Sequence, residues 1–366
     1  MKIVNTTAEK FPGIYNGKKV ICFGAGITGK IICEGFQEEG LLDSIDYFVD
    51  NDASKWGTMF KVGTKEFRIL APECLKEEYF ENKIIFITSR FWDQMVEQLR
   101  SYKISDKVEC FIYILFRLHT STVRKELLPA KQEMMIPKII HYCWFGGGEL
   151  PLFVQECIQS WKKFCPDYQI IRWDESNYNY SKFDFTREAY KQKKWAFVSD
   201  VARLDVIYQY GGIYLDTDVE IVRSIDEILY QDSFMGFEVS NYVNTGHGFG
   251  GRKDNPLFAE NIENYERIAF YNERGEFCYR TTPLVTTEML VSHGLVLDGS
   301  MQKIGETLIY PNDYFDPALQ IPVETSYSVH RYSSLWSFSG KDMQSLWQRQ
   351  REYYWLLLEE NAIEER

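Results

Sequence analysis

Val198-Ser-Asp-Val-Ala-Arg-Leu-Asp-Val-Ile-Tyr-Gln-Tyr-Gly-Gly-Ile-Tyr-Leu-Asp-Thr-Asp218 is the stretch on which the fold turns. From about Val198 to Tyr210 its apolar residues recur at helical spacing. Gly211-Gly212 stops that helix. The apolar run Ile213 to Leu215 then reads as a short buried strand. It delivers Asp216 and Asp218, whose i, i+2 spacing puts both carboxylates on one side of an extended chain. Two carboxylates that close repel unless positive charge lies between or near them. A hard divalent cation, Mn or Mg, meets that need with oxygen ligands. Such an ion also bridges a diphosphate and offsets the charge of a departing one. A bare Asp-x-Asp is more often a solvated turn, so context must decide. On the preceding helix Asp200 and Arg203 lie three apart and share a face. They read either as an ion pair worth ~0.3–0.5 kcal/mol or as a polar pair for hydroxyls and phosphate, which the planar guanidinium suits.

Upstream, a strand Ile139 to Trp144, a helix of roughly Val154 to Phe164 and a strand Gln169 to Trp173 alternate. Nearer the N-terminus, apolar runs at Val20 to Phe23, Tyr47 to Val49, Ile84 to Thr88 and Cys110 to Leu115 alternate with helical patterns. Such alternation predicts parallel sheets and an α/β fold class. The polar run Arg117 to Met135 marks a boundary. We therefore expect a domain over 1–118, a linker over 119–135, a second domain over 136–340 and a C-terminal amphipathic helix over 341–366. In that tail Met343, Leu346, Trp347, Gln350, Tyr354, Leu357 and Leu358 form one face. It suits packing on the body or on a partner chain. Membrane-surface contact is the lesser reading, because Glu359, Glu360, Glu364 and Glu365 oppose an anionic leaflet.

The net charge of −12 argues against a nucleic-acid partner. A like-charged nucleotide ligand would then need a local cation or basic groups. The eight cysteines include no C-x-x-C pair and mostly sit in apolar runs, as buried free thiols in a reducing compartment would. The N-terminus lacks an apolar signal core, and no run approaches the ~20 apolar residues of a membrane span. These features predict a cytoplasmic chain, with peripheral contact at the inner membrane face as the variant. The aromatic share of 16% suits core packing first and ligand pockets second.

Gly24-Ala-Gly-Ile-Thr-Gly29 follows the first strand and opens a helix, and Asp50 closes the next strand. This meets the requirements of a dinucleotide fingerprint: a tight turn, close backbone approach to phosphate and an acid for a ribose hydroxyl. Gly24, Gly26, Gly29 and Asp50 are thus candidate nucleotide contacts. In the second domain His141 reads as a satisfied core histidine. His330 reads either as a surface histidine or as a nitrogen ligand suited to Mn. Asn244-Thr-Gly-His-Gly-Phe-Gly-Gly251 reads as a glycine-rich loop, whereas Thr281-Thr-Pro-Leu-Val-Thr-Thr287 resembles a small-residue, Pro-containing loop on the acceptor side of known sugar transferases.

The block S-D-x-x-R-x-x-x-I-Y-x-Y-G-G-I-Y-L-D-x-D resembles the D-x-D region of glycosyltransferase family 32, and is close to the clostridial glucosylating toxins. Ile136-Pro-Lys-Ile-Ile-His-Tyr-Cys-Trp-Phe-Gly-Gly147 looks like the opening motif of that family. Ser160-Trp161, Pro166-Asp167-Tyr168 and Trp173-Asp174-Glu175 look like its next stretch. The resemblance covers roughly Ile136 to Ser337. It implies a GT-A domain and metal-dependent sugar transfer with retention, from a nucleotide-sugar, a UDP-sugar by analogy, to a saccharide acceptor, a lipid-linked one in capsule or O-antigen assembly by analogy. It implies that Trp144 stacks on the donor base near Tyr142 and Phe145. Asp200 and Arg203 would hold the sugar, Asp216 ribose or sugar hydroxyls, and Asp218 the metal, which His330 would reach. Relatives carry Ser-Trp after that histidine, whereas here Leu335 separates Ser334 from Trp336. Front-face attack needs no general base. A double displacement would turn to Glu238 or Asp200. The first domain is similar to the nucleotide-binding domains of sugar acyltransferases. Two rival readings stand beside this one: an NAD-dependent enzyme working through the first domain, and a non-catalytic nucleotide-sugar binder.

Overall fold

A computed structural model describes residues 1–6, 10–116, 118, 133–271, 275, 280–332, 340–360 and 362–365. Residues 119–132 of the expected linker, and with them Cys278, Ser334, Leu335, Trp336 and the Met343 side chain, lie outside the described residues. The chain divides into two compact units, Met1–Thr120 with Gln348–Arg366, and Ser121–Trp347. Both are α/β, as expected.

The first unit is built on an eight-stranded sheet in the order Ile363–Glu365, Lys2–Asn5, Glu109–Ile112, Lys83–Ile87, Lys19–Phe23, Ile45–Val49, Lys65–Leu70, Met59–Val62. All neighbours pair in parallel except Met59–Val62 with Lys65–Leu70. The central strands are continuous apolar runs because both faces are covered: Val20, Ile21, Cys22 and Phe23 are all buried. Phe11 packs against Phe36, Phe86, Phe111 and Phe116 with centroids 5.0–5.6 Å apart, so much of this unit's aromatic content is core. The C-terminal helix Gly340–Glu359 lays Gln350, Tyr354 and Leu357 inward. Arg349 meets Asp93 at 2.6 Å, and Gln350 donates to the Arg90 carbonyl at 2.5 Å. Leu346, Gln350, Tyr354 and Leu357 of its apolar face are therefore buried within the chain. The strand Ile363–Glu365, which no sequence pattern announced, extends the sheet beside Lys2–Asn5.

The second unit has a seven-stranded sheet in the order Gln302–Ile304, Thr307–Tyr310, Ser233–Phe237, Val243–Gly251, Gly212–Tyr214, Ile139–Cys143, Gln169–Trp173. One core lies under the helices Trp195–Tyr210, Pro256–Glu266 and Thr282–Ser292. The other lies under Leu152–Phe164. Gly211 and Gly212 have φ of +69° and +106°, a region only glycine enters cheaply. A Cβ on Gly212 would sit 2.8 Å from the Ile139 carbonyl oxygen. This glycine pair thus lets the helix Trp195–Tyr210 turn straight into a central strand.

Two expected loops are regular elements. Asn244 to Gly251 lies in the central strand Val243–Gly251. Its glycines admit bulky neighbours: a Cβ on Gly248 would be 2.2 Å from Phe315, and one on Gly250 2.6 Å from the Gly212 carbonyl oxygen. Thr281 to Thr287 starts the helix Thr282–Ser292, with Thr281 at the N-cap and Pro283 in its first turn.

Candidate active site

Ile139–Cys143 has Gln169–Trp173 on one side and Gly212–Tyr214 on the other, all parallel. Successive strands therefore depart in opposite directions from Ile139–Cys143, and open α/β sheets bind ligands at the carboxyl ends of strands at such a point. Tyr214 lies level with His141, and the Leu215 N–H donates to the His141 carbonyl at 3.1 Å. Trp144 and Asp216 consequently leave the sheet from adjacent strand ends.

Asp216 is fixed from all sides. Its N–H donates to the Gly246 carbonyl at 2.7 Å. Its Oδ1 accepts from Arg203 Nη2 and from the Tyr214 hydroxyl, each at 3.0 Å. Its Oδ2 lies against Gly246, where a Cβ would come within 2.1 Å. Arg203 Nη2 also reaches Asp200 Oδ1 at 3.2 Å. Asp200 and Arg203 are buried and Asp216 keeps a partly open side chain, so the guanidinium bridges one buried and one partly exposed carboxylate. Thr282 donates to Asp200 through its hydroxyl and its N–H. Burial pushes the Asp200 carboxyl up to about 6, against the pull of Arg203 and Thr282. Burial raises Asp216 as well, with Arg203 opposing and Asp218 adding to the rise.

Asp218 is 8% exposed, and its carbonyl accepts from the Arg331 N–H at 2.9 Å. Its Oδ1 is 3.3 Å from His330 Nε2. That contact follows from the pairing of Val219–Ile221 with Ser328–His330, in which Val219 lies opposite His330. Burial works to lower the His330 imidazole, but the Asp218, Asp316 and Asp216 carboxylates outweigh it and push it up to about 9. Among the described residues no three carboxylate, imidazole or thiolate groups surround one point closely enough to clasp an ion. The donor set nevertheless fits a divalent cation whose remaining ligands come from elsewhere. Asp218 offers oxygen and His330 nitrogen, and His330 Nδ1 is buried without a hydrogen-bond partner among the described residues.

The aromatic trio divides. Tyr142 is buried edge-on to Trp161 at 5.7 Å, and Phe145 is buried edge-on to Tyr178 at 5.9 Å. Both belong to the two cores, because alternate residues leaving a central strand are taken up by opposite faces. Trp144 alone keeps partly open surface, its indole N–H held by the Gly148 carbonyl at 2.8 Å. His141 is the satisfied core histidine expected. Trp173 donates to its Nδ1 and its Nε2 meets the Gly211 carbonyl, each at 2.9 Å, and burial lowers its pKa to about 4.

Other groups of the site escaped sequence reading. Tyr214 stands two residues before Asp216, so strand spacing alone could have placed its hydroxyl on that carboxylate. Thr282 and Gly246 depend on distant pairings and left no local sign. His247 is fully buried beside His330, ring centroids 5.8 Å apart, with neither ring nitrogen hydrogen-bonded among the described residues. Burial, then the charges of His330 and Arg203, hold it well below the ordinary histidine range. Asp316 accepts from the Tyr332 hydroxyl at 2.6 Å. Glu238 accepts from Asn244 at 3.1 Å and from the Ser240 hydroxyl.

In the first unit Gly24, Gly26 and Gly29 lead from the strand Lys19–Phe23 into the helix Ile27–Glu38. A Cβ on Gly29 would lie 2.5 Å from the Gly24 carbonyl oxygen, whereas one on Gly26 would meet open space. Asp50 is turned onto this loop. It accepts from the Ala25 N–H at 2.7 Å and from Lys55 at 3.0 Å.

With this geometry in view, residues 151–235 match the family model described as a glycosyltransferase sugar-binding region containing a DXD motif. That segment holds Asp200, Arg203, Asp216 and Asp218. Among individual proteins, the chain is similar to inositol phosphoceramide mannosyltransferase 3 of Schizosaccharomyces pombe, 31% identical over 38% of this chain and 40% of that one. It is similar to inositol phosphoceramide mannosyltransferase 1 of the same yeast, 24% identical over 55% of this chain and 66% of that one. It is also similar to human alpha-1,4-N-acetylglucosaminyltransferase, 37% identical over 22% of each chain. The chain thus spans less than two thirds of the length of these relatives.

Proposed function

We propose that the second unit is a metal-dependent retaining glycosyltransferase that moves a hexose or N-acetylhexosamine from a nucleotide-sugar to a saccharide acceptor. One observation carries the reading: Asp216 and Asp218 leave the sheet at its switch point, with Arg203 braced between Asp216 and Asp200. A solvated acidic turn would have exposed carboxylates without buried partners. The relatives named above transfer mannose or N-acetylglucosamine, which fits either sugar class.

Asp218, with His330, would hold Mn or Mg, and that ion would supply charge neutralisation for the departing diphosphate. Arg203, already aligned by two carboxylates, would direct its remaining N–H groups to phosphate or sugar oxygens. Asp200 is locked by Thr282 and Arg203 and would accept from a sugar hydroxyl. Trp144 would offer its open face to the base, a contact worth ~1–3 kcal/mol in nucleic-acid systems. Catalysis would rest on positioning and preorganised charge. We favour a UDP-sugar donor and an acceptor in surface-polysaccharide assembly, such as a lipid-linked saccharide at the inner membrane face. The NAD-dependent alternative gives the acidic pair no task.

The test is turnover of a panel of nucleotide-sugars. Hydrolysis or transfer should require Mn or Mg and fall by about 100-fold or more in Asp218→Ala, as loss of a transition-state electrostatic partner does. Undiminished turnover in excess EDTA would end this reading.

A further inference from the structure

The helix Asp184–Lys191 ends in a turn that leads into Trp195, five residues before Asp200. The turn closes with the Lys193 N–H on the Tyr190 carbonyl and the Lys194 N–H on the Ala189 carbonyl, both at 2.9 Å. This places Lys193 at φ +55°, the left-handed helix-ending position that glycine occupies at least cost. A strained non-glycine residue invites a functional account. Beside it lies a cavity of about 560 Å³ lined by Tyr180, Arg187, Tyr190, Lys191, Lys193 and Trp195, among others. That volume is within the range of small-ligand sites.

Its walls have two chemistries. Tyr180 and Tyr190 stack at 3.7 Å and 12°, and Trp195 stands edge-on to Tyr190 at 5.0 Å. All three rings keep partly open surface. Around them lie three cations and no lining carboxylate, in a chain whose net charge is −12. Arg187 pairs with Asp184 at 2.5 Å and Lys191 with Glu188 at 2.7 Å. Lys193 makes no ion pair among the described residues. The pocket is also tied to the strand end that bears Trp144. Glu175 accepts from the Gly146 N–H at 2.6 Å and from the Tyr190 hydroxyl at 3.2 Å. Gly146 itself packs so closely that a Cβ would be 2.6 Å from the Trp195 indole nitrogen.

We propose that this pocket is an acceptor subsite for a saccharide carrying a negative group, with sugar C–H faces on the aromatic cluster and the anion at Lys193. The proposal rests on the glycosyltransferase reading for the word acceptor, but the binding site itself does not. Aromatic faces hold pyranose rings through apolar contact while leaving hydroxyls wet, and unpaired lysine supplies a point charge for phosphate or carboxylate.

The probe is glucose 6-phosphate, titrated into the full chain by calorimetry or saturation-transfer NMR, beside methyl glucoside and inorganic phosphate. Glucose 6-phosphate should bind more tightly than either fragment. Tyr190→Ala and Lys193→Gly should each weaken it about tenfold, and Trp144→Ala should leave it in place. Lys193→Gly relieves backbone strain, so a raised Tm together with lost binding separates the charge from any folding defect. Absence of binding, binding equal to that of inorganic phosphate, binding indifferent to both pocket variants, or loss in Trp144→Ala alone would each overturn the proposal. Nucleotide-sugar turnover by the unaltered chain is measured alongside. Turnover without probe binding sinks the pocket alone, and probe binding without turnover sinks the transferase reading alone.

Discussion

Each unit has a central strand whose neighbours depart in opposite directions, Lys19–Phe23 in the first and Ile139–Cys143 in the second. Each sets a carboxylate near that point. In the first unit Asp50 meets two backbone N–H groups, those of Ala25 and Asp52, and one lysine. It stabilises the shape of the loop it faces. In the second, Asp200 and Asp216 share one buried guanidinium, and Asp218 is set apart with a histidine. The first arrangement leaves an uncharged glycine turn; the second concentrates charge that is worth more in a dry site than in water. Similar topology therefore produces a cradle in one unit and an electrostatic machine in the other.

The largest expected effect follows from the shared guanidinium. Arg203→Met would leave buried Asp200 and partly exposed Asp216 without their cation. Removing one partner of a buried pair costs ~3–5 kcal/mol, and nucleotide-sugar turnover should disappear. Lys55→Met, at a side chain about one-third exposed, should cost under ~1 kcal/mol. Urea unfolding of both variants measures the contrast. Comparable losses would mean that the two carboxylate arrangements are energetically alike after all.

Glycines sharpen the same contrast at a smaller scale. Gly246→Ala drives a Cβ to within 2.1 Å of Asp216 Oδ2 and 3.0 Å of Arg203 Nη1. Overpacking of this kind costs ~1–3 kcal/mol, and donor affinity should drop with it because both groups proposed to hold the donor must shift. In the first unit Gly29→Ala meets a carbonyl oxygen at 2.5 Å, whereas Gly26→Ala meets open space. The former should destabilise by a similar ~1–3 kcal/mol. The latter should cost under ~1 kcal/mol, the loss of a preferred helix N-cap. Thermal denaturation ranks the three, and an inert Gly246→Ala would remove the reason given for glycine beside Asp216.

What the chain discloses before folding depends on how local the cause is. The helix from about Val198, the glycine pair and the strand into Asp216 are legible because each signal acts on its own neighbours, although the helix begins three residues earlier, at Trp195. The same holds for the buried runs at Val20–Phe23 and Ile139–Cys143. Asn244 to Gly251 misled because glycine normally signals a turn, yet here it makes room for Phe315 and Asp216 from other segments. Thr281 to Thr287 resembles a Pro-containing loop yet starts a helix, because proline at the first helical turn has no N–H to waste and a φ already set for the helix. Tyr142 and Phe145 looked equivalent to Trp144, and only the two packed faces of the sheet distinguish them. The grip of Thr282 on Asp200, and the place of His330 opposite Val219, arise from pairings across dozens of residues that no window of sequence contains.

Asp50 gives the smallest effect and the finest division between the units. Asp50→Asn keeps an oxygen for the Ala25 N–H but forfeits the charge pairing with partly exposed Lys55 and the oxygen that accepts from the Asp52 N–H at 2.8 Å, so stability should fall by about 1 kcal/mol. Asp50→Ala strands the Ala25 N–H as well, an unmade hydrogen bond that costs ~1–3 kcal/mol when buried. The difference between the two variants, read from chemical denaturation, isolates the loop-holding bond. In the second unit the same pair of changes at Asp218 should separate differently. Asparagine there lacks the charge a cation requires, so Asp218→Asn and Asp218→Ala should be about equally inactive. Where a carboxylate shapes its own backbone the amide should cost less than the alanine; where, as proposed for Asp218, it holds an ion, the two should cost alike.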